Sequence, residues 1–353
     1  AAEQAVRLQA SMTRRLKGAA DELNDALLAV KGHLSEAERT EAQAIGRRAG
    51  EIATDLEFLV DARDPSFVYW AEARMRTRTL RAAPIDVAET LRERLYRETD
   101  TVVFTSATLA TQGRFDFVKQ RLGMQDPHSG EDLLAVDELR VESPFDYREQ
   151  SALYTPTHLP EPTAPEFVHA VAEEIFALTR ITGGRAFALF TSLRNMTEAH
   201  RLLKDRLPYR VLLQGEKPKA ALIAEFREKP SVLFAAHSFW EGVDIAGDAL
   251  SLVIIDKLPF ASPGDPVVSA RIDLLKSRGL EPFGAYQVPV AAIALRQGFG
   301  RLIRTRRDRG VVAVLDRRLS TKGYGRAFLA SLPPCPRATT IERVAQWWNG
   351  GRS

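Results

Sequence analysis

Residues 296–310 gather guanidinium groups around a glutamine and two glycines. Arg296-Gln297-Gly298-Phe299-Gly300-Arg301-Leu302-Ile303-Arg304 runs on into Thr305-Arg306-Arg307-Asp308-Arg309-Gly310. On a helix, Gln297, Arg301 and Arg304 stand at i, i+4 and i+7 and share one face. Leu295, Phe299 and Leu302 then share another face, with the spacing of a core stripe. Each glycine costs about 1 kcal/mol against alanine in a helix interior, so the pair points to something approaching the backbone closely. Arginine presents a planar, permanently charged fork that matches phosphate oxygens, and the stretch reads as a polyphosphate-facing surface. Eight arginines fall between 296 and 318 and eight more between 63 and 97; the second set reads as a solvated face. Arg306 and Arg307 also have a plainer explanation, as cations at a helix C-terminus.

Three further stretches could carry chemistry. Phe104-Thr105-Ser106-Ala107-Thr108-Leu109 puts small hydroxyls just past a strand, where ligand contacts collect in open α/β sheets. Phe190-Thr191-Ser192-Leu193-Arg194-Asn195 does the same ahead of a helix, whose free N–H groups and dipole favour a phosphate. His237-Ser238-Phe239-Trp240-Glu241-Gly242-Val243-Asp244 sets two acids three apart around a glycine, able to hold a ribose hydroxyl or orient an arginine. Helix capping by the hydroxyls and a turn capped by Asp244 are the structural alternatives.

The elements that must position these groups follow from apolar spacing. Residues 3–31 and 35–62 read as two long helices joined through Gly32, the second opened by a Ser35/Glu38 capping box. Short strands are expected at 67–70 and 78–82, a helix from 86 to about 96, a buried strand at 101–105, and irregular chain over 110–150. From Ser151 strands at 152–154, 185–190, 210–213, 232–236, 252–256 and 311–315 alternate with helices at 165–180, 193–206, 217–228, 265–278 and 287–304. Such alternation makes an α/β fold with a parallel sheet covered by helices on both faces. The polar tail 349–353 is expected to fray.

Composition narrows the class. The 353 residues are 45% hydrophobic and 27% charged, ordinary for a soluble globular chain, with no apolar run long enough for a membrane span. A single cysteine, Cys335, excludes an internal disulfide and any cysteine cluster within the sequence, and the scattered histidines form no ligand-spaced pair, so no metal site is expected. The chain opens inside a helix-like stretch with no signal sequence, which reads as a fragment of a cytoplasmic protein.

Taken together, these stretches resemble the last motifs of superfamily 2 helicases, in particular the DinG/YoaA branch of the XPD-like family. Phe104–Leu109 is similar to motif III, Leu189–Ser192 to motif IV, Ser238–Asp244 to motif V and Gln297–Arg304 to motif VI. Ser143-Pro144-Phe145 and Asp256-Lys257-Leu258-Pro259-Phe260 resemble connecting segments of the same branch. The resemblance covers about 67–334. No Gly-Lys dipeptide occurs, so the phosphate-binding P-loop is missing, as is the family's acidic metal-binding motif. Asp137 and Glu138 imitate the latter but fall after motif III and read as linker residues.

The resemblance implies a helical arch-type segment at 1–66, the end of a first motor domain with its linker at 67–142, and a RecA-like second motor domain at 143–353. Catalytic roles fall to Arg301 and Arg304, on the γ-phosphate of ATP, and to Gln297, orienting the nucleotide or its water. Glu241, Gly242 and Asp244 would link nucleotide state to DNA grip, and Ser106 and Thr108 would relay closure. Thr191, Ser192, Arg194 and Ser238 would hold the backbone of single-stranded DNA. ATP and Mg2+ would be shared with a first motor domain, and a 4Fe-4S cluster would lie upstream. The expectation is a monomer, moving 5′ to 3′ on DNA in repair or replication with proteins of those processes, and inactive as this fragment alone. The alternative is a non-catalytic nucleic-acid-binding or partner-docking module with a motor-like fold.

Overall fold

The computed structural model describes residues 14, 15, 17–19, 21, 22, 25, 26, 35–73, 77–236, 239 and 249–350. Most of the expected 3–31 helix, the Gly32 link and residues 351–353 lie outside them. The described residues divide into two compact units, one up to Val87 with 263–274, the other 88–262 with 275–350.

In the first unit α1 (Glu36–Asp61) starts at the expected capping box. The Ser35 N–H donates to Glu38 Oε2 at 2.9 Å and the Glu38 N–H to Ser35 Oγ at 3.4 Å, so two otherwise orphaned donors are satisfied reciprocally. Ala62 ends the helix in a left-handed conformation. β1 (Phe67–Ala73) and β2 (Arg78–Pro84) pair antiparallel, Phe67 opposite Pro84, and Phe67 meets Phe58 of α1 edge-on at 5.1 Å. Nearly buried Arg271 closes the unit, donating to Asp86 Oδ1 at 2.8 Å and to the Ile85 carbonyl at 3.0 Å.

The second unit opens with a single α-turn, α2 (Ala88–Leu91), that widens into a π-turn at 92–96. Residues 101–105 form no strand, a correction to expectation. Val103 is 81% exposed, and no described strand lies alongside to take up its backbone groups. After α3 (Asp116–Arg121) and α4 (Tyr147–Gln150) the sheet begins.

Seven strands follow: β3 (Ser151–Tyr154), β4 (Ala186–Leu189), β5 (Arg210–Leu213), β6 (Ser231–Ala235), β7 (Leu252–Ile255), β8 (Gly310–Val314) and β9 (Arg337–Ala338). Their order is β5-β6-β4-β7-β8-β3-β9 and every pairing is parallel. The first six form within one residue of their expected bounds, because strands buried on both faces read as unbroken apolar runs. Alternation splits them between two cores. Leu233, Val253 and Val312 pack under α7 (Lys219–Glu228), α9 (Val288–Phe299) and α11 (Gly325–Ser331). Val232, Leu252 and Val311 pack under α5 (Phe167–Thr182), α6 (Leu193–Leu203) and α12 (Ile341–Gly350). Each such side chain fully withdrawn from water contributes roughly 1.5–3 kcal/mol. Further helices are α8 (Pro266–Ser277), whose residues 266–274 belong to the first unit, and α10 (Arg318–Thr321).

Two ends differ from expectation. Residues 349 and 350 belong to α12 and do not fray, since Trp348 and Val344 are buried under the sheet. α9 stops at Phe299, five residues early, with Gly300 as its cap.

Candidate functional site

The arginine stretch is a helix end and a built loop. Leu295, Phe299 and Leu302 are all buried as expected, but Arg301 and Arg304 lie beyond the helix and share no helical face with Gln297. The Gly300 N–H donates to the Arg296 carbonyl at 2.9 Å, and the turn runs on through Arg301 N–H to the Gly298 carbonyl at 3.3 Å. Gly300 keeps a negative φ, and a Cβ there would meet the Arg296 carbonyl at an ordinary 3.4 Å. The closest approach is at Gly310, where a Cβ would come within 2.5 Å of Leu302 Cδ1 and of the Ser251 carbonyl. Glycine there lets the loop fold flat onto the first residue of β8.

Asp308, 4% exposed, is the centre of the loop. Its Oδ2 accepts from the N–H groups of Arg304 and Thr305, both at 2.7 Å, and its Oδ1 from Thr305 Oγ1 at 2.7 Å. Gln150 grips the same turn from the start of β3, its Nε2 donating to the carbonyls of Thr305 at 2.9 Å and Asp308 at 2.8 Å. Buried bonds to an ionised acceptor are the strong kind, so the backbone beneath Arg304 is fixed while its side chain stands exposed and that of Arg301 half-buried. Asp308 could have been suspected from Thr305-x-x-Asp308, a local hydroxyl–acid spacing; nothing in the sequence marks Gln150.

The arginine cluster is not one surface. Arg309 stacks on Trp347 at 3.9 Å and donates to the Trp348 carbonyl at 2.8 Å, closing the end of α12. Arg318 is paired with fully buried Asp316 at 2.7 Å, and Arg317 stands 3.9 Å from Glu161. These three serve the fold. Exposed Arg304, Arg306 and Arg307 remain on the loop, which is no helix C-terminus.

The hydroxyl stretch after β4 lies at the other end of the parallel strands from the start of β8. Thr191 N–H donates to Asp256 Oδ1 at 2.9 Å, joining the C-terminal ends of β4 and β7. The strand order turns around β4, with β6 on one side and β7 on the other; in open α/β sheets ligands bind outside such a point. Asp256 is 1% exposed, and burial pushes its carboxyl up to about 7. Ser192 caps α6, its Oγ accepting from the Asn195 N–H at 3.4 Å, so its hydroxyl has the structural role that capping chemistry allows. Arg194 is exposed and Leu193 is 62% exposed. Together with Thr163, Pro165 and His169 they line a cleft of about 790 Å³.

Ser106 and Thr108 form a small turn of their own, Ser106 Oγ accepting from the Thr108 N–H at 3.2 Å. Two residues on, the Ala110 carbonyl accepts from Arg296 Nη1 at 3.2 Å, which brings this stretch to the arginine loop. Ser238, Glu241, Gly242 and Asp244 lie outside the described residues; Phe239 beside them is buried beneath Lys219, whose Nζ stands 5.1 Å from the ring centre. Among the described residues no group of three or more His, Cys, Asp and Glu could hold a metal ion, and none of their helices is long and apolar enough to cross a membrane.

The geometry therefore has two parts. Arg301, Arg304 and Gln297 stand where α9 hands the chain to the start of β8, near Ala110. Thr191, Ser192 and Arg194 stand past the C-terminal end of β4, at the opposite end of the parallel strands and two strands over in the order β4-β7-β8.

Residues 175–335 match the helicase C-terminal domain family. The chain is 39% identical over 301 residues to the ATP-dependent DNA helicase YoaA of Escherichia coli strain K12, covering 85% of this chain and 46% of that protein. It is 38% identical over 289 residues to the ATP-dependent helicase DinG of Mycobacterium tuberculosis, covering 80% and 42%. It thus spans about half the length of the curated relatives it matches. A solved XPD helicase superposes with a TM-score of 0.55 at 15% identity, over 86% of this chain and 56% of that one, a likeness of fold.

Proposed function

We propose that this chain, homologous to the YoaA and DinG helicases over a stretch that holds a helicase C-terminal domain, is the nucleotide-sensing and DNA-gripping half of an ATP-dependent DNA helicase. The observation that carries the proposal is the division of labour across one parallel sheet. Cationic groups on an over-determined loop stand at one end of the parallel strands, and exposed Arg194 beside a cleft stands at the other. A motor needs both: a fixed contact that registers the γ-phosphate, and a grip on the strand that responds to it.

In this reading residues 143–353 form the second motor domain, 67–142 the end of the first with its linker, and 1–66 an arch-type segment. ATP with Mg2+ binds between the two motor domains and supplies the phosphoryl-transfer chemistry. Arg301 and Arg304 would donate to its γ-phosphate and offset charge there; Gln297 would orient the phosphate or the attacking water. The loop built by Asp308 and Gln150 holds Arg304 in place before the nucleotide arrives, the preorganisation that makes electrostatic stabilisation effective. Thr191, Arg194 and the cleft beside α6 take phosphates of single-stranded DNA, a contact that positions without reading sequence. Glu241, Gly242 and Asp244 stay assigned as the link between nucleotide state and DNA grip, and Ser238 as a contact to the DNA backbone, with 5′ to 3′ movement and a role in repair or replication. A 4Fe-4S cluster does not fit these residues, since four thiolates are the usual ligand set and the chain has one cysteine; any cluster belongs to another part of the protein.

The test is ATP hydrolysis and single-stranded DNA binding by the 353-residue chain beside the intact parent protein. The chain is expected to bind DNA in a salt-dependent manner and to hydrolyse no ATP, while the parent hydrolyses ATP when DNA is present. Magnesium-dependent hydrolysis by the chain alone would contradict the half-site reading. A parent with DNA binding and no turnover would favour a docking module.

A further inference from the structure

We infer that Arg296 is a positioning residue that couples the Ser106–Leu109 stretch to the arginine loop through the carbonyl of Ala110. This rests on the reading of both stretches given above.

Ser106 and Ala107 are exposed, yet the chain just after them is held firmly. Ala110 and Thr111 are buried. Arg296 Nη1 donates to the Ala110 carbonyl at 3.2 Å, and the Gln112 N–H donates to Ser331 Oγ at 3.0 Å. Ser331 is itself fixed by donating to the Ala327 carbonyl at 2.8 Å. The two anchors lie on different helices, α9 and α11, and each spans more than 180 residues of sequence. Between them the backbone takes a tight course: Gln112 has φ 53°, Gly113 has φ 78°, and Thr111 and Arg114 exchange backbone bonds across the turn. A left-handed glutamine is uncommon, and such a residue persists where its surroundings over-determine it. A Cβ at Gly113 would meet Arg140 Nη1 at 2.9 Å.

Arg296 is costly where it stands. Burial lowers its pKa and the neighbouring Arg140 guanidinium lowers it further, with Tyr147 acting in the other direction. An arginine kept against that opposition, reaching a carbonyl two residues from Thr108, acts as a mechanical tie. It precedes Gln297 directly and stands on the last turn of α9, from which the Arg301 loop departs. A displacement of Ser106–Leu109 would pull on that turn, and a shift of Arg301 towards a phosphate would pull back. Chemistry and movement would then be linked through one hydrogen bond and one helix end.

Three variants test it: R296M, which keeps the stem and loses the donors; R296K, which keeps a donor; and S331A, which removes the second anchor. In the 353-residue chain, amide exchange at 110–114 is expected to rise about tenfold or more in R296M and S331A, as local opening does when a tie is lost. It should stay close to wild type in R296K and be unchanged in β4, β7 and β8 of all three. In the intact parent, R296M should lower strand separation per ATP about tenfold, an order typical of coupling free energies, while DNA-dependent turnover stays within about threefold; R296K should restore it. Unchanged exchange in R296M would overturn the tie. Equal losses of turnover and unwinding would overturn the coupling role and assign Arg296 to the chemistry. A wild-type parent without ATP turnover would remove the functional reading and the coupling with it, and the exchange data would still decide the tie.

Discussion

Replacing Asp308 by alanine should loosen the loop that carries the candidate fingers and destabilise the α/β unit. The carboxylate accepts three hydrogen bonds, each 2.7 Å long, from Arg304 N–H, Thr305 N–H and Thr305 Oγ1. Bonds to a charged group are worth about 1.5–3 kcal/mol each. The carboxylate also gives up hydration on burial, so the simple sum overstates the loss. About 3–5 kcal/mol is the expected net cost, in line with breaking a buried charged network. For a unit of this size each kcal/mol moves Tm by about 2–4 °C, so D308A should melt about 10 °C below wild type. D308N, which keeps one acceptor oxygen, should lose about half as much. T305V, which removes only the hydroxyl bond, should cost about 1 kcal/mol. Scanning calorimetry of the four proteins makes the comparison. A D308A that melts within about 2 °C of wild type would refute the idea that this carboxylate organises the loop.

Two further outcomes follow from the other end of the strands. Burial raises the Asp256 carboxyl from its ordinary 3.8 to about 7, so between those pH values the folded state holds a proton that the unfolded state has released. Stability is then greatest below the unfolded value, falls as pH rises through the window, and levels off above about 7, by on the order of 4 kcal/mol in all. Urea unfolding should show wild type losing stability relative to D256N between about pH 4 and pH 7 and no further above that; a constant difference would count against it. Arg194→Ala should weaken single-stranded DNA binding and reduce the slope of log K against log salt by about 0.7. An unchanged slope would remove Arg194 from the DNA path.

The sheet was readable because its strands are buried on both sides. Runs such as Val232–Ala236 and Leu252–Ile255 need no partner to be recognised. The same rule fails at Thr101–Thr105, whose Val102-Val103-Phe104 run has no neighbouring strand among the described residues and is mostly exposed. The apolar spacing of α9 continues to Leu302, past the end of the helix at Phe299. In the fold Leu302 reaches the core from a turn, where Gly310 leaves room for it. Treating the arginines by count also hid their division. Arg309 is used up by Trp347, a partner that local sequence could not assign to it, and Arg318 by Asp316 two residues before it. The supports of the site, Gln150 and Arg296, act on carbonyls more than 150 residues away, and no local pattern encodes such a contact. Candidate groups were therefore legible by type, while the loop that holds them was not.

Under the proposed function, Arg301 reaches a nucleotide whose P-loop lies outside these 353 residues. DNA-dependent ATP turnover by the intact parent, wild type against Arg301→Ala, measures it most directly. Loss of an arginine finger costs about three to five orders of magnitude in turnover, and that fall is expected with single-stranded DNA binding retained. Turnover within a few-fold of wild type would contradict the account.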